Sequence, residues 1–149
     1  MVYTINIEII PHYWNIQPTV MILCNKKLLE SVNNFNQSNQ PCLLSYKIPL
    51  QSQNDIQICL NNKTNDQTVV ENNQIIKDQF IQINDIEIDG VNLTKNMLSK
   101  GIFEPIYPTN LAKNKELPKK INTTQLNFNG AWSLEFSMPI HEWFFQHLD

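Results

Sequence analysis

The chain has 149 residues, 42% of them hydrophobic and 17% charged, with a net charge of -3. That length can bury a core of its own, and that apolar content excludes a disordered chain. There are 21 Asn, 12 Gln and 11 Lys but no Arg, and only three Gly, which argues against nucleic-acid readout and against a Gly-rich phosphate cradle.

The start, MVYTINIEII, has no basic flank, long apolar stretch or small-residue cleavage site, so no secretory leader is predicted. Cytoplasmic synthesis is the resulting expectation, with packaging into a virion as one route out. No run reaches the ~18 apolar residues of a membrane helix, so no membrane partner is expected. Cys24, Cys42 and Cys59 are odd in number and widely spaced. They fit neither a zinc motif nor a disulfide framework and read as structural thiols.

Along the chain, Tyr3, Ile5, Ile7 and Ile9 alternate with Thr4, Asn6 and Glu8, the pattern of a half-buried strand. PHYWNIQP breaks it with two prolines, and TVMILCN is a second, continuously apolar strand. KKLLESVNNFNQSNQP is polar and turn-rich, with room for one helical turn at its start. CLLSYKIPL is a third strand ending at Pro49, and DIQICLNN a fourth with Ile56, Ile58 and Leu60 inward. KTNDQTVVENNQ is a long polar loop interrupted by Val69 and Val70.

QFIQINDIEIDG is the fifth strand, and its parity slips. Ile81 and Ile83 are odd-numbered, whereas Ile86 and Ile88 are even-numbered. Side chains alternate with period two, so one extra residue near Asn84 and Asp85 is needed, as a bulge or sharp bend. Glu87 and Asp89 then project to solvent. VNLTKNMLSKG has no clear period, and IFEPIYPTNLAKNKELPKK reads as a long ordered loop packed by Phe103, Ile106 and Tyr107. TTQLNFNGAWSLEF carries a hairpin signal through Asn129 and Gly130. Pairing Phe128 with Trp132 across residues 129–131 puts Leu126, Phe128, Trp132, Leu134 and Phe136 on one face. PIHEWFFQHL predicts a short helix, with Pro139 in its first turn and Ile140, Trp143 and Phe144 as an apolar stripe.

Seven or eight short strands, little helix and no βαβ alternation define an all-β fold: an antiparallel β-sandwich, jelly-roll-like, with a short C-terminal helix or aromatic tail. It forms a single domain over residues 1–149, in which residues 93–149 are a loop, hairpin and tail extension.

Catalytic chemistry has little support. Glu87 and Asp89 lie about 7 Å apart along one strand face, whereas a glycosidase needs two carboxylates facing each other across a cleft. Alternation accounts for both as the wet face of a strand. His141 and His147 are six residues apart, off one helical face, and no nucleophile elbow is present. Calcium is better served. It takes six to eight oxygens, usually from loops, and residues 61–78 offer Asn62, Asp66 and Asp78 among others. An Asn-rich solvated loop explains the same residues. Asp78 stands just before the fifth strand, where a loop can aim it. Tyr13 and Trp14, in a Pro-bounded loop, are flat rings that can stack on a pyranose or cover the core edge. Trp132 has the core parity.

The order of segments resembles the calcium-dependent xylan-binding carbohydrate-binding modules. YTINIEIIPHYWNIQPTVMILCNKKLL is similar to that family's opening strand, Trp-containing turn and second strand. NDIQICLNNKTND followed by KDQFIQINDIEIDGV resembles its later half, over roughly residues 3–92 in all. Asp78 matches the strand-opening Asp, and Asn62 stands where the family has a second Asp. Gln79, Phe80 and Ile81 replace its usual Arg-Asn-Leu. The resemblance implies a non-catalytic module in which calcium, held by Asp78 and Asn62, coordinates the hydroxyls of a polysaccharide or surface glycan; Asp66, from the loop reading, completes the expected metal set. Composition and the missing leader also resemble bacteriophage virion proteins, which implies a virion-surface or adhesion role. The alternative is a structural virion or assembly protein without sugar or metal. In it the C-terminal aromatics, Trp132, Trp143, Phe144 and Phe145, pack against a protein partner or a second copy.

Overall fold

Period-two alternation, two-residue turns and an inserted residue in the eighth strand build most of the computed structural model, which describes residues 1–113 and 116–148. In chain order the strands are β1 (Val2–His12), β2 (Thr19–Cys24), β3 (Lys27–Val32), β4 (Cys42–Pro49), β5 (Gln53–Asn61), β6 (Val69–Glu71) and β7 (Gln74–Lys77). Then come β8 (Phe80–Ile88), β9 (Val91–Asn92), helix α1 (Lys95–Ser99), β10 (Ile102–Pro105) and helix α2 (Thr109–Ala112). Strands β11 (Ile121–Asn122), β12 (Gln125–Leu126) and β13 (Gly130–Ser137) precede helix α3 (Ile140–Gln146).

Two antiparallel sheets face each other as a β-sandwich. One runs β12-β8-β1-β4, with β9 also on β8; the other runs β11-β10-β13-β5-β2-β3. Their inward residues close the core: Ile5, Ile7, Ile9, Ile81, Ile83, Ile86 and Ile88 from the first sheet meet Val20, Ile22, Ile56, Ile58, Leu60, Phe103, Trp132 and Phe136 from the second. At one edge the Tyr46 hydroxyl on β4 donates to Glu30 Oε1 on β3 at 2.7 Å, tying the two sheets together.

The inserted residue sits where the parity slip predicts. Glu8 pairs with Asp85 and Ile9 with Ile83, so Asn84 has no partner on β1. Its side-chain amide instead donates to Glu8. Both isoleucine pairs of β8 are thereby buried. Deleting Asn84 leaves them in phase on an unbulged strand. That variant should fold, with a urea midpoint lowered only modestly. Deleting Gln82 makes Ile81 and Ile83 neighbours on opposite faces and should abolish the cooperative transition.

Several local expectations are corrected. Residues 27–32 form an edge strand, not a helical turn. The turn before it, Asn25 and Lys26, has both φ values positive, at 51° and 66°, the two-residue geometry that matches strand twist. The Asn25 side chain secures it by accepting from the Asp55 amide at 2.9 Å. Residues 69–77 hold a hairpin turning at Asn72 and Asn73, φ 52° and 63°, rather than an open loop. Asp89, expected on a strand face, lies with Gly90 in a third such turn, φ 48° and 82°.

Pro11 does not break β1. Its carbonyl accepts from the Asn39 amide at 2.7 Å, so its nitrogen faces away from β8, where no ladder bond needs an N–H. Residues 95–99 form α1, because Thr94 caps it by accepting from the Met97 amide and Met97 and Leu98 are buried. In the expected loop after it, Phe103 is buried but Ile106 is exposed, and β10 pairs with β13.

The Asn129-Gly130 hairpin does not form. Leu126 pairs with Ile81 in one sheet and Trp132 with Ile58 and Phe103 in the other. Gly130 serves close approach instead: at φ 149°, a Cβ there would lie 2.3 Å from the Glu104 carbonyl oxygen. Residues 93–149 thus supply a central strand of the six-stranded sheet as well as a tail.

All three cysteines are unbridged. Burial pushes each thiol up, that of Cys24 to about 11 with Asp55 adding to the effect, as suits structural thiols.

Candidate functional site

Strand register gathers five connecting segments at one end of the sandwich. Leu60, Gly130 and Pro105 lie side by side on β5, β13 and β10, so the chain leaving β5, entering β13 and leaving β10 emerges together. His12 opposite Phe80, and Leu126 opposite Ile81, bring the loop after β1 and the entry to β8 to the same end.

Residue by residue, the site begins at Asn62, whose φ of 62° turns the chain out of β5. Lys63 follows, and the Asn129 side chain grips its backbone from both sides. Asn129 Oδ1 accepts from the Lys63 amide at 2.8 Å, and Asn129 Nδ2 donates to the Lys63 carbonyl at 2.9 Å. The ammonium then points inward. Lys63 Nζ donates to Asp78 Oδ1 at 2.8 Å and to the Asn127 carbonyl at 2.5 Å, with the Phe128 ring 5.9 Å away. The two side chains are only 8% and 15% exposed. Asp78 Oδ1 also accepts from Thr68 Oγ1 at 2.7 Å and from the Gln79 amide at 2.8 Å. A carboxylate oxygen holding three donors, one of them charged, is strongly committed.

Beside this pair lies a cleft of about 510 Å³. Lys63, Tyr107 and Phe128 line it together with the polar residues Asn65, Thr68, Thr109 and Asn110 and the aliphatic Val70, Ile106 and Leu111. Tyr107 meets Phe128 edge-on, their ring centroids 5.0 Å apart, and the Tyr107 hydroxyl donates to the Pro118 carbonyl at 2.5 Å. Aromatic surface bordered by a few hydrogen-bonding groups is what a small polar ligand needs. Another depression, about 370 Å³ around Asn25 and Asn54, offers less. Its amides already bond each other and the Gln51 carbonyl at 2.9 and 2.7 Å.

The predicted site residues disperse. Asp78 is half-buried and engaged in the ion pair. Asp66 is exposed, and a hydrogen bond from the Thr64 hydroxyl holds its carboxyl below the usual carboxylate range. Asn62 is exposed at the turn. Among the described residues no three His, Cys, Asp or Glu side chains cluster as a metal site. The predicted donor set does not fit calcium either: the Asp78 carboxylate is already neutralised by Lys63, and Asn62 and Asp66 stand exposed away from it, whereas calcium needs its oxygens gathered around it.

Trp14 is at this end too, but it donates from Nε1 to the Gln67 carbonyl at 2.9 Å, with the Lys77 ammonium 4.6 Å from its ring centroid. Tyr13 packs on the core. The aromatic pair in the cleft, Tyr107 and Phe128, was missed as a site. Its signal was the crowding of Phe128 between Asn127 and Asn129, which the hairpin reading absorbed. Trp132, expected at an interface, is 0% exposed and its indole donates to the Thr123 carbonyl at 2.8 Å, so it is core. Trp143 is buried, Phe144 half-buried and Phe145 70% exposed.

The fold has counterparts among solved structures. It is similar to that of the carbohydrate-binding module vCBM60, solved in complex with galactobiose: TM-score 0.54 at 12% identity, over 88% of this chain and 96% of that one. A selenomethionine form of vCBM60, described as linking two families of calcium-dependent carbohydrate-binding modules through circular permutation, matches with TM-score 0.54 and 12% identity over 89% of each chain. The likeness is one of fold, and it extends well past residue 92. The chain matches no family model and no curated protein sequence.

Proposed function

We propose that this protein is a non-catalytic carbohydrate-binding module that takes a glycan in the cleft between Tyr107, Phe128 and the segment after β5. The observation that carries this reading is the cleft itself: two aromatic rings bordered by amide and hydroxyl side chains, at one end of a sandwich similar to vCBM60. Pyranoses present apolar C–H faces to rings and hydroxyls to amides, so such a cleft can recognise them without chemistry. The single charged pair there is internally balanced, which favours neutral saccharides over acidic ones. The calcium dependence of the related modules does not carry over to the residues at this end.

A glycan array followed by calorimetry tests the proposal. Tyr107→Ala and Phe128→Ala should each weaken the selected glycan about tenfold, the effect of losing roughly 1.4 kcal/mol of contact. An array with no binder, or variants that bind as tightly as the parent, would sink it. A second reading, packing on a protein partner or second copy through the tail, is favoured by the exposure of Phe145 and Leu148.

A further inference from the structure

We infer that the Lys63 ammonium is the resident cation of this site, so that the module binds its ligand without a divalent metal. The part concerning the ligand rests on the proposed function; the part concerning the metal does not. Calcium would have to enter against an ammonium whose side chain is only 8% exposed and which already sits 2.8 Å from the Asp78 carboxylate, itself 15% exposed. It would bring two charges to a place that one ammonium already neutralises, and like charges at that separation repel strongly away from water. Asn62, exposed and uncharged, supplies no second carboxylate to offset that.

The ammonium is also built in rather than incidental. The Asn129 amide fixes the backbone that carries it, and Asp78 and the Asn127 carbonyl fix its head. Those two acceptors take two of its three N–H groups. Lys63 lines the cleft, and on this inference the third serves a ligand oxygen. A compact ammonium can donate to a sugar hydroxyl or ring oxygen where a metal would accept its lone pairs. The ligand class is a neutral oligosaccharide that presents an oxygen to Lys63 while a sugar face lies on Tyr107 and Phe128.

The test uses the full chain. Its melting temperature should agree within about 1 °C in excess EGTA and in millimolar calcium chloride, since only a ligand of the native state shifts it. Calorimetry with calcium chloride alone should show no binding heat. Glycan affinity should be the same in both buffers, and Lys63→Met should weaken it about tenfold. A calcium-induced rise of several degrees that Asp78→Asn removes would overturn the inference, as would glycan binding lost in EGTA. Unchanged glycan affinity in folded Lys63→Met would overturn the role at the ligand. If no glycan binds in either buffer, the proposed function fails, and the melts and calcium calorimetry still decide the cation. If Lys63→Met does not fold, the parent chain in the two buffers decides it.

Discussion

Replacing Lys63 by Met will lower the stability of the folded chain by about 3–5 kcal/mol, measured by urea unfolding with an unchanged m-value. The size follows from what remains. Met keeps the aliphatic stem, so little packing is lost, but the Asp78 carboxylate stays behind, mostly buried and without its counter-charge. Removing one partner of such a pair is far more costly than the pair's net contribution, because a charge is left in a low-dielectric setting. Thr68 and the Gln79 amide still donate to it, which keeps the loss finite. The double variant Lys63→Met with Asp78→Asn should recover part of the loss, because no buried charge remains. A loss below about 1 kcal/mol in the single variant would mean that the pair behaves as a surface salt bridge.

The C-terminal helix separates two roles that its aromatic residues could play. Trp143→Ala should cost about 3–5 kcal/mol, the range for emptying a large aromatic site in a core. Trp143 is buried and stacks on His147, ring centroids 4.5 Å apart, and Ile140 one turn earlier is buried as well. Phe145→Ala should stay within about 0.5 kcal/mol, as surface changes do. Unfolding of the chain trimmed after residue 137 would confirm that α3 closes the core. If the trimmed chain stays folded and loses only self-association in sedimentation, the tail is an interface instead.

Acid should weaken the fold through His12, which stacks on Phe80 at 4.2 Å. Desolvation lowers its pKa from the ordinary 6.5, so the unfolded chain takes up the proton first. The stabilisation is therefore complete above pH 6.5 and is lost as pH falls below it towards the folded value. His12→Gln should remove that part of the pH dependence of the melting temperature.

The turns show how far local signals reach. The strongest hairpin dipeptide in the chain, Asn129-Gly130, is not a turn, while Asn25-Lys26 and Asn72-Asn73 are. Asn tolerates a left-handed backbone, but whether a turn forms depends on which strands the flanking residues find. Here Leu126 and Trp132 found partners in opposite sheets, and Gly130 answered a steric demand from Glu104 that no neighbour in sequence announces.

What the sequence by itself determined is the sandwich, its inward faces and the bulge at Asn84. Burial of an alternating strand is a local constraint, and a parity slip inside one strand has few local remedies. The absence of Arg was equally visible there. Only the tertiary structure decided the site. Lys63 meets Asp78 across 15 residues and Asn127 across 64, because the register of β5, β13 and β10 brings their ends together. Sequence could nominate Asp78 as a cation ligand. That the cation is the chain's own ammonium, and that Tyr107 and Phe128 rather than Tyr13 and Trp14 line the cleft, depends on long-range pairing that no local pattern encodes.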